Sequence, residues 1–486
     1  RKGRILDVLT NSLQLLRQRL DPQSQELLTK LNIVHTQRSN LVYNRPPYLF
    51  GQEYRHQYDS LTQQVQKLEA DISHRSQEFR TAKQKVTIEE IQNLLPANSA
   101  LVELVEYQPY NPKDGSFGVR RYAAYILPQQ GQPTGIDLGE VQQLESALQL
   151  FRLSLRDRET PISQLKQAGR QLDEILMKPV RRLLGSTGTL LISPDGELNL
   201  IPFEALVDEN ERYLVESYRF TYLTSGRDLI RFSEPSGSQQ SALVLGNPDF
   251  ERKSLIQEIA QGSTDASTRS INLSEWGFSQ LPGTEEEVKA IAQLLGVEPL
   301  LASEATEEVV KRVNRPNVLH VATHGFFETA PSSTELTTLT ENPMLLSGLV
   351  LAGFKEKNPV GEDGVLTASE LASVDLYNTQ LVVLSACDTG RGKITSGEGI
   401  YGLRRALVIA GSQSQLISLR KVDDTATKEL MVNYYQKLKQ NQGRSQALRQ
   451  TQLEMLESEK YHHPYYWASF IASGNWQPMV FNTHSH

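Results

Sequence analysis

Over roughly the first ninety positions the apolar residues come singly, three or four apart, among Gln, Lys, Glu, Asp and Arg. The clearest run is Tyr54, Tyr58, Leu61, Val65, Leu68 and Ile72, with spacings of 4, 3, 4, 3 and 4. This is the a/d seam of a long helix with a solvated opposite face. Arg45-Pro46-Pro47 interrupts the helical pattern before it. The seam is too short for a free coiled coil, so it is expected to pack on neighbouring helices of the same chain. It also fits the end of a helical repeat array, and Arg1 is not an initiator, so further chain is expected before it.

Near residue 97 the period changes. Ala100-Leu101-Val102-Glu103-Leu104-Val105 and Tyr122-Ala123-Ala124-Tyr125-Ile126-Leu127 read as strands, and 144–155 and 164–176 as helices. Thr189-Leu190-Leu191-Ile192-Ser193 is a buried strand stopped by Pro194-Asp195-Gly196. A small-polar stretch at 233–241 reads as a linker. Beyond it, 242–248 begins a strand and turn. A helix is expected from Leu281-Pro282-Gly283-Thr284, with Thr284 as its cap and acids in the first turn. Another helix covers 305–313. Strands follow at 318–327, 381–388 and 415–419, and helices at 401–410, 426–438 and 445–456. Segment 328–365 reads as a long polar loop, functional or mobile, and 391–399 as a second flexible segment.

Two of these strands end on reactive residues followed by glycine. One ends Val321-Ala322-Thr323-His324-Gly325; the other ends Ser385-Ala386-Cys387-Asp388-Thr389-Gly390. In open α/β sheets the chemistry lies beyond the carboxyl ends of the strands. The span between them allows one strand-loop-helix excursion, so they can be parallel neighbours. An ordinary thiol is mostly protonated at neutral pH, and an adjacent imidazole supplies a base and later an acid. Gly325 lets its N–H approach a developing oxyanion, and the Cys387 N–H is a second donor. A buried structural thiol competes with this reading of Cys387. His320 shares a strand face with His324, and one of the two can be a core histidine; His324 is preferred because it sits at the strand exit. His462 and His463 read as a surface or interface pair, and His484 and His486 as tail residues. No zinc-ligand spacing occurs, Gly390-Arg391-Gly392-Lys393 lacks phosphate-loop spacing, and Gly411-Ser412-Gln413-Ser414-Gln415 lacks the final glycine of a nucleophile elbow. Neither a metal nor a cofactor is expected.

Composition narrows the field. With 486 residues, Lys+Arg 50 against Asp+Glu 57 and a net charge of −7, the chain has no general basic footprint for nucleic acid. No apolar run is long enough to span a bilayer. A single cysteine excludes an internal disulfide framework and fits a reducing compartment, most simply the cytoplasm.

The His-Gly and Ser-Ala-Cys-Asp-Thr-Gly motifs resemble those of clan CD cysteine proteases, and more narrowly the CHAT domain family, caspase-like proteases associated with tetratricopeptide repeats and related to separase. Leu191-Ile192-Ser193-Pro194-Asp195-Gly196, Asn199-Leu200-Ile201-Pro202-Phe203-Glu204-Ala205-Leu206, Gly397-Glu398-Gly399-Ile400-Tyr401-Gly402-Leu403-Arg404-Arg405-Ala406 and His463-Pro464-Tyr465-Tyr466-Trp467 are similar to the same family's pattern. The resemblance covers about 95–477. It implies an α/β fold of two caspase-like αβα halves, 95–235 without the dyad and 236–480 with it, preceded by a helical region at 1–94.

It also implies a regulated cysteine endopeptidase acting on a protein substrate, with His324 and Cys387 as the catalytic pair. Asp388, Asp423 and Asp424 are expected near the cleft mouth, where acids favour a basic P1 residue. The family tends to Leu-Trp where this chain has Leu419-Arg420, on a loop that lines the cleft in caspase-like folds. Arg420 would neutralise one of the acids, and an Asp after a strand is often a helix cap, so the P1 preference stays open. One or both of segments 328–365 and 391–399 are expected to be disordered or blocking in the resting state, with an activating or inhibiting protein partner acting through the N-terminal helices. The alternative is a catalytically silent scaffold that uses the same fold to bind partners. A transferase or another hydrolase using the thiol is a third reading.

Overall fold

Three helices open the chain: α1 (Arg4–Arg17), α2 (Pro22–Tyr43) and α3 (Gly51–Gln77). Asp21 caps α2 by accepting from the Ser24 N–H at 3.0 Å, and Pro22 occupies the first turn, where a missing N–H costs nothing. The expected seam lies along α3. Tyr54, Tyr58, Val65 and Ile72 are buried, and Leu61 and Leu68 are partly buried against the core, so the stripe packs within the chain. The computed structural model describes residues 4–17, 21–44, 49, 51–77, 86–232, 238, 240–250, 278–327, 344–354, 362–388, 398–420 and 423–481. The proline break, the linker at 233–237, most of the loop readings and the terminal histidines lie outside these residues.

The first α/β unit runs α4 (Ile88–Asn93), β1 (Ser99–Tyr107), the small pair β2 (Tyr110–Asn111) and β3 (Ser116–Phe117), β4 (Arg121–Pro128), β5 (Thr134–Glu140), α5 (Val141–Arg156), α6 (Ile162–Arg181), β6 (Thr189–Ser193), α7 (Leu214–Ser217), β7 (Arg219–Tyr222) and α8 (Asp228–Phe232). The second runs β8 (Leu243–Pro248), α9 (Pro282–Leu295), β9 (Leu300–Ala302), α10 (Glu307–Lys311), β10 (Val318–Phe327), β11 (Ser347–Val350), β12 (Val365–Thr367), α11 (Ala368–Leu371), β13 (Leu381–Asp388), α12 (Glu398–Ala410), β14 (Ser414–Ser418), α13 (Asp424–Lys439), α14 (Arg444–Glu457), α15 (Pro464–Trp467) and β15 (Phe470–Gly474). This is the α/β class expected, with helices ahead of two strand-and-helix units.

Among the described residues one sheet of 13 strands joins both units, in the order β12-β11-β10-β13-β14-β15-β7-β6-β1-β4-β5, with β8 and β9 branching from β10. The β8-β10-β13-β14 block is parallel, as is the β7-β6-β1 block. The two meet where β15 pairs with β7 at Ser473 and Tyr222. Two sequence expectations are corrected. Segment 328–365 is not all loop: β11 and β12 continue the sheet beside the end of β10. Thr284 is not the cap of α9, which starts at Pro282; the Thr284 hydroxyl donates to the Leu281 carbonyl and accepts from the Asn247 N–H.

The helical segment docks through buried polar contacts. The Arg17 guanidinium donates to the carbonyls of Ala372, Ile409 and Ala410. Lys311 is held by Glu307, Glu362 and Glu370 and reaches Thr36 on α2. Arg38 donates to the Ser369 hydroxyl and to His35 Nδ1, so that nitrogen must keep its lone pair. A cavity of about 910 Å³ opens between α2, α3 and the Lys311–Glu370 corner; His324 is not among its lining residues.

Burial, with Arg38 and Lys311 adding, pushes His35 down to about 3. Above pH about 6.5 the ring is neutral whether folded or not. As pH falls below that, the unfolded chain takes up a proton that the folded ring refuses, so stability falls until about pH 3. Glu204, pushed up to about 7 by burial, acts in the opposite sense, so a variant comparison is needed. The stability difference between wild type and His35→Gln should rise with pH between 4 and 6.5, by at most about 1.4 kcal/mol per pH unit, in urea unfolding. Elsewhere, Gly283 on α9 lies against Asp424 on α13, where an added Cβ would collide with the Asp424 side chain. Gly283→Ala should cost about 1–3 kcal/mol. The double variant with Asp424→Gly should lose less than the sum of the two singles in a double-mutant cycle.

Candidate functional site

The two strands expected to be neighbours are parallel partners. β10 and β13 pair from Val318 with Leu381 through His324 with Cys387 to Gly325 with Asp388. Their apolar runs are buried between helical layers, as central parallel strands require. On its other side, β10 pairs with β11, so His324 also lies opposite Val350.

His324 is 6 % exposed. Its ring packs against both Phe250 and Phe278, each centroid separation 5.2 Å, and the two phenyl rings also touch each other at 6.4 Å. Its Nε2 is 2.8 Å from the Ser279 carbonyl oxygen. A carbonyl can only accept, so Nε2 carries a proton and the lone pair of the neutral ring is on Nδ1. The segment supplying Phe278 and Ser279 runs directly into α9. Sequence reasoning missed Phe250, Phe278 and Ser279, because residues 278–281 have no element of their own to announce them.

Beneath this lies a buried polar group. His320 is fully buried, with Nε2 3.1 Å from Glu287 Oε1 and Nδ1 3.1 Å from the Tyr435 hydroxyl. The Ser385 hydroxyl donates to Glu287 Oε2 at 3.2 Å. His320 is therefore the core histidine of the pair. Glu287 was missed, although it sits on the face of α9 that buries Thr284, Val288 and Ile291. An acid at an apolar-face position was the available signal.

The expected pocket residues separate. Asp423 caps α13, accepting from the Ala426 N–H at 3.0 Å. Asp424 is half-buried against Gly283, beside the start of α9. Arg420 is buried, and its guanidinium donates to the carbonyls of Leu155, Pro464, Tyr465 and Ala468. Burial pulls it down to about 9. These bonds tie the end of β14 to α5 and α15, a packing role in place of the cleft-lining one expected. His463, expected at the surface, is buried: its Nδ1 accepts from the Tyr465 N–H as the cap of α15, and its Nε2 donates to the Thr160 carbonyl. Among the described residues no group of three or more His, Cys, Asp or Glu could hold a metal ion, and no helix is long and apolar enough to cross a membrane.

Comparison with known proteins agrees with the motifs. The chain is 27% identical over 340 residues to human (Homo sapiens) tetratricopeptide repeat protein 28 and 26% identical over 357 residues to the mouse (Mus musculus) protein. Each match covers 63% of this chain and 13% of the relative, so the chain spans a small part of these proteins. Among solved structures it is similar to separase in the Saccharomyces cerevisiae separase–securin complex, with a TM-score of 0.44, 10% identity and coverage of 94% of this chain and 34% of that one. It is also similar to the Arg-specific cysteine proteinase gingipain R, with a TM-score of 0.33, 9% identity and coverage of 70% and 76%. The CHAT domain family model matches residues 166–475, more than half of the chain: the first α/β unit from within α6 onward, and the second unit. With that match over the strands that carry His324 and Cys387, the chain belongs to the CHAT domain family.

Proposed function

We propose that this chain is a regulated cysteine endopeptidase in which His324 is the base and Cys387 the nucleophile. The observation that carries the reading is the register that sets these two residues opposite each other near the end of the parallel pairing of β10 and β13. The hydrogen bond to Ser279 supports it, because it leaves Nδ1 as the basic nitrogen. In the proposed reaction Nδ1 takes the thiol proton and the sulfur attacks the scissile carbonyl carbon. The N–H groups of Gly325 and Cys387 stabilise the oxyanion. The imidazolium then protonates the leaving amine, and water hydrolyses the thioester with the same ring as base.

Substrate choice would rest on Asp388 and Asp424. Asp423 is committed to its helix cap and Arg420 to backbone carbonyls, which removes the proposed neutralising cation. A basic P1 residue is the preference this leaves. Control would come through the N-terminal helices. Leu41, Val42, Leu49, Tyr54 and Tyr58 share one apolar cluster with Phe250 and Phe278, the rings packed against His324. A protein partner that shifts α2 and α3 would reach the imidazole through packed side chains. The competing scaffold reading predicts an inert thiol.

Iodoacetamide labelling at pH 6.5 decides between them, since Cys387 is the only cysteine. Rapid labelling of native protein should fall by about a hundredfold or more in His324→Ala and vanish in Cys387→Ala. A thiol that is inert in native protein and labels only on unfolding would favour the scaffold. On a peptide panel varied only at P1, Arg and Lys should be cleaved preferentially, and Asp424→Asn should reduce that preference. Equal cleavage after Arg and Leu would sink the acidic-pocket idea.

A further inference from the structure

Glu287 is 1 % exposed, on a helix face otherwise used for packing. A carboxylate in such a place is costly unless hydrogen-bonded. Here each oxygen serves a different strand of the candidate site: Oε1 meets His320 on β10, four residues before His324, and Oε2 meets Ser385 on β13, two residues before Cys387. The Tyr435 hydroxyl completes the group from α13. Burial, with Tyr434 and Glu287 adding, holds Tyr435 well above its ordinary range, so it remains a phenol. With His320 neutral and Glu287 ionised, Tyr435 O–H donates to His320 Nδ1, and His320 Nε2–H and Ser385 O–H donate to Glu287.

The four residues stand on the four elements that present the site. α9 follows the Ser279 carbonyl that orients His324, β10 and β13 carry His324 and Cys387, and α13 opens beside Asp424. We propose that Glu287 is a positioning residue, fixing α9 against both strands so that the Ser279 carbonyl holds the His324 ring in the tautomer and orientation that activate Cys387. This rests on the protease reading above. Small misplacements of a catalytic group cost far more rate than stability.

The test uses the full chain with Glu287→Gln and Ser385→Ala. The glutamine has nearly the same shape but can accept from only one of the two partners through its single oxygen. The readouts are the iodoacetamide rate of Cys387 across pH 5.5–9 and urea unfolding. Glu287→Gln should slow labelling at neutral pH by about tenfold and move the pH midpoint of the rate, with Ser385→Ala smaller in the same direction. Lower unfolding midpoints with an unchanged rate and pH profile in the folded protein would make Glu287 structural only and overturn the proposal. If Glu287→Gln does not fold, Ser385→Ala alone decides on the same criteria. A wild-type rate equal to that of His324→Ala would overturn the protease reading itself, and with it this proposal.

Discussion

The pairing of β10 with β13 puts His324 opposite Cys387, and the other elements of the second unit keep that register. Two buried parallel strands rich in Val and Leu gain similar apolar burial in several registers, whereas a slip of one residue turns every side chain to the other face. Polar residues within the strands make the wrong registers expensive. His320 and Ser385 have partners only if both face Glu287, and the Thr323 hydroxyl donates to the Val350 carbonyl on the flanking strand. The buried acid thus selects one alignment among apolar near-equivalents.

The N-terminal helices add a second layer of constraint. α3 buries its seam against α1 and α2, and the same helices continue into the aromatic cluster around His324. Tyr43 donates to the Leu345 carbonyl and packs edge-on against Phe326, two residues beyond the histidine. The charged knot at Lys311 and the buried Arg38–His35–Ser369 contacts hold α2 to the body. The helices are therefore part of the wall around His324.

The α/β alternation, the long helices and the exits of the His324 and Cys387 strands were legible in the sequence, because buried parallel strands read as continuous apolar runs ended by turn residues. β5 was not, since an exposed edge strand leaves no apolar trace, and β7 is only four residues long. β11 and β12 were hidden in a segment whose Pro, Gly and polar residues suggested loop. Arg420 misled for a different reason. An arginine between a strand and an acidic turn suggests a cleft-lining loop, but here two carbonyl-bearing segments, the end of α5 and residues 464–468, converge on it, and segments distant in sequence cannot be seen converging.

By itself, the sequence determined which residues could do chemistry and that each lies on a buried strand, because apolar periodicity is a local property; that β10 runs on past Gly325 to Phe327 came from its pairing with β11. Only the tertiary structure decided that these strands are adjacent and in register, that His320 belongs to the core, and that the Ser279 carbonyl, two phenylalanines and Glu287 surround the site. Those partners come from elements far apart in the chain, and hydrogen bonding across such distances leaves no periodic trace. Their burial makes each unpaired alternative costly, and that cost is what selects a single arrangement.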